Sequence, residues 1–131
     1  SAPLSVLRSR EKIADIIEAL ETNKDLIVHV NMANQGAIAN LPYDCNVEVS
    51  ALVNKRGVYN LTMGSLPKGI ESLVRRIVDE QELIAEAGIT GDYDLAIQAL
   101  ALDPLVHDIR IARELFNLLF ESQSQYLPQF S

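Results

Sequence analysis

Apolar residues recur at two different spacings along this chain, and the switch between them marks out its elements. From Arg8 to Leu20 the spacing is helical. Ile13, Ile16, Ile17 and Leu20 fall on one face, with Glu11, Asp15 and Glu18 on the wet side. Glu21-Thr22-Asn23 ends that run, since asparagine tolerates the left-handed conformation of a helix terminus. From Leu26 to Met32 the spacing drops to two. Leu26, Val28 and Val30 share one face of a strand, and Ile27, His29 and Asn31 the other. Asn34 to Asp44 has no period and is punctuated by Gly36 and Pro42, so it reads as an irregular bend.

Alternation returns from Val47 to Val53, where Val47, Val49, Ala51 and Val53 oppose Glu48, Ser50 and Leu52. Asn54-Lys55-Arg56-Gly57 predicts a hairpin loop, with Val58 to Met63 as the antiparallel return strand. Ser65-Leu66-Pro67 predicts a helix start, with serine near the cap and proline in the first turn. Ile70, Leu73, Val74, Ile77, Ile84 and Ala87 form its stripe, Arg75 and Arg76 face away, and Gly88 is expected to close it, with a break near Asp79 left open. Thr90-Gly91-Asp92 opens another helix through Leu100, carrying Leu95, Ala96, Ala99 and Leu100 on its apolar face. Asp103-Pro104 predicts a break with a cap-and-proline start, and Asp108 a cap for the last helix. There, Ile111 or Ala112, Leu115, Phe116, Leu119 and Phe120 repeat at three and four. The tail Tyr126–Phe130 is apolar enough to be docked. The order of elements predicts an α+β fold, a small antiparallel or mixed sheet with its helices gathered at the C-terminal end, in one domain over residues 1–131 without repeat or linker.

Composition narrows the partners. The chain has 131 residues, 48% of them apolar, enough for a core without disulfide or metal. Its formal charge of −7 argues against nucleic acid and anionic membranes. Cys45 is the only cysteine, so no internal disulfide can form, which suits a cytoplasmic setting. No apolar run is long enough to span a membrane.

Several residues invite chemistry. His29, Cys45 and His107 are the soft metal ligands, but their spacing matches no tight zinc pattern. Each reads more simply as a strand, buried or helix-start residue. Glu80, Glu82 and Glu86 lie in a charged helix segment and read as a solvated face. Glu48, between Val47 and Val49, could face a pocket or a neighbouring domain. No nucleophile elbow, P-loop or dinucleotide-binding glycine pattern occurs. What remains is the amide-rich bend of Asn31, Asn34, Gln35 and Asn40 around Gly36. Neutral amides both donate and accept, which suits sugar hydroxyls without desolvating a charge. The simpler reading is that the same residues cap their own turns, which asparagine does readily.

At this bend the sequence resembles the C-terminal portion of glycoside hydrolase family 4, the NAD- and divalent-metal-dependent glycosidases. The landmarks are VNMANQGAIANLP at Val30–Pro42, VEVSALV at Val47–Val53, GSLP at Gly64–Pro67, ELIAEAGITGD at Glu82–Asp92, ALALDPLV at Ala99–Val106 and YLPQF at Tyr126–Phe130. Their order makes the resemblance specific over nearly the whole chain from about Arg8. Ser50 departs from the family's usual VEVP, and Ile84 and Gly88 also differ from its pattern.

The resemblance implies a substrate-side half similar to the C-terminal part of lactate and malate dehydrogenases, working beside an N-terminal Rossmann half. It implies a reaction that begins with hydride transfer from the sugar's C3 to NAD. Loss of the C2 proton to a tyrosine-type base follows, then elimination of the leaving group, addition of water and return of the hydride. Manganese, or another divalent metal, would polarise the sugar oxygens. The family's nucleotide loop, metal-binding cysteine and histidine, and tyrosine base lie upstream of every landmark, and Cys45 and His107 do not match them. No catalytic, cofactor-binding or metal-binding residue is therefore assigned to this chain. Asn31, Asn34, Gly36 and Asn40 are its substrate-side candidates.

The expectation is a C-terminal fragment, inactive alone, whose full-length enzyme acts on a small carbohydrate and forms a homo-oligomer. TGDYDLAIQALALDPLV leans toward the α-galactosidase-like branch over the 6-phospho-glucosidase and α-galacturonidase types. The alternatives are a non-catalytic carbohydrate-binding or regulatory module, and the substrate half of a 2-hydroxyacid dehydrogenase relative.

Overall fold

The computed structural model describes residues 11–106 and 108–130. His107, and Arg8 to Arg10 of the predicted first helix, lie outside the described residues. Two compact units meet in sequence at Gly64 and Ser65.

The first unit holds helix α1 (Ile13–Thr22) and strands β1 (Leu26–Ala33), β2 (Asn46–Asn54) and β3 (Gly57–Asn60). Asn23 ends α1 in the left-handed region at φ 58°. The strands form one antiparallel sheet in the order β1-β2-β3. Val28 faces Ala51, Asn31 faces Glu48, and Leu52 faces Ile27 on one side and Tyr59 on the other. Val47, Val49, Ala51 and Val53 are buried, as their alternation predicts. The sheet packs against α1, where Ile16 and Leu20 of the predicted stripe are half-buried and Ala19 is the buried residue. Ala19 is 1% exposed, whereas Ile13 and Ile17 are 67% and 56% exposed.

The hairpin turns over Lys55 and Arg56. Asn54 Oδ1 accepts from the Arg56 amide at 2.9 Å, and Gly57 takes φ 131°. The return strand is shorter than the alternation implied. Beyond Asn60 the chain changes partners. The Leu61 amide still donates to Ser50 O at 2.9 Å, but the Met63 amide donates to Ala37 O at 2.7 Å and Gly64 O accepts from Ala39 at 2.9 Å. An isolated parallel bridge joins Ile38 to Gly64. The residues after β3 therefore brace the bend instead of extending the ladder.

The second unit holds α2 (Lys68–Thr90), α3 (Tyr93–Leu102) and α4 (Ile109–Gln123), followed by short 3₁₀ turns at Ser124–Tyr126 and Pro128–Phe130. Pro67, not Ser65, occupies the cap position of α2, and no side chain caps it. The helix runs unbroken past Asp79, where Arg75 Nε bonds Asp79 Oδ1 at 3.0 Å. Gly88 lies inside it. Gly91 closes it instead, at φ 72°, its amide bonding Ala87 O at 2.9 Å. Asp92 caps α3 and Asp108 caps α4. Asp103 starts no helix; it holds a turn by accepting the Leu105 amide at 2.7 Å.

The core of this unit gathers Ala87, Ile97, Val106, Ala112, Phe116 and Phe130. The Tyr93 ring meets Phe116, Phe120 and Phe130 edge-on, with centroids at 5.1, 5.3 and 5.5 Å. The tail is docked through Phe130, while Tyr126 stays exposed. Among the described residues no helix is long and apolar enough to cross a membrane.

Candidate functional site

The bend after β1 is built on Asn34. Its side chain is fully buried, at 0% exposure. Oδ1 accepts the Ile38 amide at 2.7 Å. Nδ2 donates to the carbonyls of Pro42 at 2.9 Å, Ile38 at 3.0 Å and Leu41 at 3.3 Å. Two N–H groups thus serve three acceptors, and one bond is shared. Asn34 also bonds through its backbone. Its amide donates to Cys45 O at 2.8 Å, and its carbonyl accepts from Ala37 at 2.8 Å and from Asn60 Nδ2 at 2.7 Å. One buried residue therefore fixes both ends of the loop and ties it to β3.

Between Asn34 and Ala37 the chain makes a tight turn with positive φ at both central positions, 46° at Gln35 and 84° at Gly36. That is the geometry of a type I′ turn. Glycine meets it without strain. Glutamine has a β-carbon and lacks asparagine's local tolerance, so it costs on the order of 1 kcal/mol there. The Gln35 amide nevertheless holds Tyr43 O at 2.7 Å.

The four substrate-side candidates have different fates. Asn34 turns inward and shapes the loop, the capping role that competed with a ligand role. Gly36 supplies the turn. Asn40 is half-buried and engaged by a partner. Asn31 is exposed on β1, opposite Glu48, and His29 is exposed opposite Ser50. Glu48 is exposed, as are Glu82 and Glu86, while Glu80 is half-buried. Cys45 is buried, and its Sγ donates to Pro42 O at 3.2 Å. Sequence reasoning missed Asn60. It lies 26 positions from Asn34, and only the pairing of β2 with β3 brings it there.

Among the described residues no three His, Cys, Asp or Glu side chains gather where they could hold a metal ion. In the second unit, an apolar hollow of about 360 Å³ is lined by residues such as Ile84, Ala96, Leu119, Phe120 and Leu127. With no polar side chain in its wall it is unsuited to a sugar.

Residues 3–106 match the model of the family 4 glycosyl hydrolase C-terminal domain. The chain belongs to glycosyl hydrolase family 4. An alpha-galacturonidase of Bacillus subtilis is 44% identical over 110 residues, 83% of this chain and 25% of that protein. The solved 6-phospho-alpha-glucosidase from gut microorganisms, in complex with NAD and glucose-6-phosphate, superposes with a TM-score of 0.86 at 28% identity. The match covers 91% of this chain and 27% of that one. The Thermotoga maritima 6-phospho-beta glucosidase, solved with manganese, NAD+ and glucose-6-phosphate, gives a TM-score of 0.80 at 31% identity, covering 87% of this chain and 28% of that one. The chain spans about a quarter of the length of the curated relatives it matches. The α+β architecture read from the hydrophobic pattern is that of family 4 structures, with a small antiparallel sheet and C-terminal helices.

Proposed function

We propose that this chain is the C-terminal, substrate-side part of an NAD- and manganese-dependent glycosidase, and that it acts in the cytoplasm as a homo-oligomer. The family match over residues 3–106 carries this reading. It is supported by relatives of the same fold solved with NAD, manganese and glucose-6-phosphate. Redox cofactor, metal and base come from an N-terminal Rossmann half, and this chain's likeness to the C-terminal part of lactate and malate dehydrogenases belongs to the same reading. A lone buried thiol asks for no oxidising compartment.

The chain's own contribution is a rim rich in neutral amides. Asn34 holds the loop from within. Asn31 and Asn40 with Gly36 make up the neutral wall beside the sugar, where amides can match hydroxyl donors and acceptors without placing a charge near the reacting carbons. A galacto-configured or galacturonic sugar is favoured by the 44% identity to an alpha-galacturonidase, with a 6-phospho-glucoside as the alternative that the matches to 6-phospho-glucosidases support.

The experiment is a panel of chromogenic α-galactosides, α-galacturonides and 6-phospho-glucosides offered to the full-length enzyme. Each is assayed with and without NAD, and before and after chelation. Hydrolysis should require both NAD and manganese. Turnover indifferent to both would sink the proposal, and sugar binding by residues 1–131 alone would point instead to a binding module.

A further inference from the structure

We infer that Gln35 is a specificity-determining residue that touches the sugar, an inference that rests on the glycosidase reading above. Three observations converge on it. First, Gln35 stands at φ 46°, where glycine or asparagine would relax the backbone. Second, the loop beneath it cannot yield. The Gln35 amide is held to Tyr43 O at 2.7 Å, and the neighbouring Asn34 is fully buried with its amide group spent on Ile38, Leu41 and Pro42. Third, Gln35 is exposed, and the bond that anchors it to the loop runs through its backbone amide, which leaves the side-chain amide facing solvent. The long side chain is thus presented to solvent from a strained position on an anchored support. Backbone strain of this kind clusters at ligand sites.

The chemistry sets the ligand class. A carboxamide presents one acceptor and two donors in a plane. It can accept from one sugar hydroxyl while donating to its neighbour, a pairing that depends on the configuration at those carbons. Gln35 therefore reads hydroxyl stereochemistry, distinguishing gluco- from galacto-configured rings, and takes no part in bond breaking.

The test compares wild type with Gln35→Gly, Gln35→Ala and Gln35→Asn in the full-length enzyme, with NAD and manganese. It uses gluco- and galacto-configured chromogenic pairs, calorimetric Kd for the released sugar, and thermal unfolding. Gln35→Gly should keep a Tm no lower than wild type while KM and Kd for the preferred sugar rise about three- to tenfold, the loss of one hydrogen bond. Its kcat should stay within about twofold, and the preference between epimers should shrink. Gln35→Asn should recover part of the preference. If KM, Kd and the epimer ratio are unchanged in an active Gln35→Gly enzyme, this inference falls and the glycosidase reading stands. If wild type turns over nothing on the panel with both cofactors supplied, that reading falls and takes this inference with it.

Discussion

A β-carbon placed on Gly91 would lie 1.6 Å from the carbonyl oxygen of Gln129. The end of α2 and the C-terminal tail touch backbone to backbone there, and Gln129 Nε2 adds a 3.0 Å bond to Gly88 O. Gly91 also needs its φ of 72°. Gly91→Ala therefore strains the turn and lifts the tail, drawing Phe130 out of its ring cluster. The expected loss is about 2–4 kcal/mol, from left-handed strain plus exposure of a phenyl ring. Urea unfolding followed by far-UV circular dichroism measures it, and a loss under about 1 kcal/mol would show that the tail contact carries little weight.

Replacing Asn34 tests the loop's anchor. Asn34→Ala leaves the Ile38 amide and the facing carbonyls without their buried partner and should cost about 2–4 kcal/mol. Asn34→Asp should be worse at neutral pH, since a carboxylate would face the oxygens of Ile38, Leu41 and Pro42. Those oxygens and the burial favour the protonated form in the folded state. The deficit of Asn34→Asp should accordingly shrink as pH falls. Urea midpoints across pH decide it, and a deficit flat with pH would contradict the geometry.

Helix α3 depends on one cap. Asp92 Oδ1 accepts the amides of Asp94 at 2.8 Å and Leu95 at 3.1 Å. Asp92→Ala should destabilise by about 1 kcal/mol and Asp92→Ser should restore most of it. Equal unfolding midpoints for the two variants would argue that packing alone holds the helix start.

The Asp108 carboxyl sits below its ordinary range. The hydrogen bond from the Arg110 side chain is the main cause and that from the Arg110 backbone amide the second, with desolvation opposing them. The Arg110 guanidinium is raised in turn by the same carboxylate. Because the folded carboxyl binds its proton less readily than the unfolded one, its contribution is fully present above the ordinary aspartate pKa. It is lost as pH falls through the lowered value. Carboxyl-carbon NMR titration should place the Asp108 midpoint below that of a free aspartate, and Arg110→Ala should move it upward.

Apolar side chains remain in water in both units. Leu105 is 87% exposed and Ile89 is 81% exposed. The 131-residue polypeptide by itself should self-associate as its concentration rises and should bind a hydrophobic dye. A concentration-independent monomer in sedimentation, with no dye signal, would show that these residues form no adhesive patch.

Periodicity reports which residue types repeat, so it located the strands, the hairpin at Gly57, and the caps at Asn23, Asp92 and Asp108, where local backbone chemistry decides the outcome. The ordered landmarks of the amide bend and the helices likewise carried the family. What periodicity could not weigh was distance across the fold. Ala19 is buried while Ile13 and Ile17 stay in water, because the packing of the helix decides which part of its surface is covered. Gly91 rather than Gly88 closes α2, since a left-handed turn against a returning backbone requires a residue without a β-carbon. In the bend, composition showed a cluster of amides and left their direction open. Only the tertiary structure separated Asn34, turned inward to satisfy the loop's own carbonyls, from Gln35, held outward on a strained turn. Hydrogen-bond demand arises from the path of the chain, and that path depends on partners as distant as Asn60.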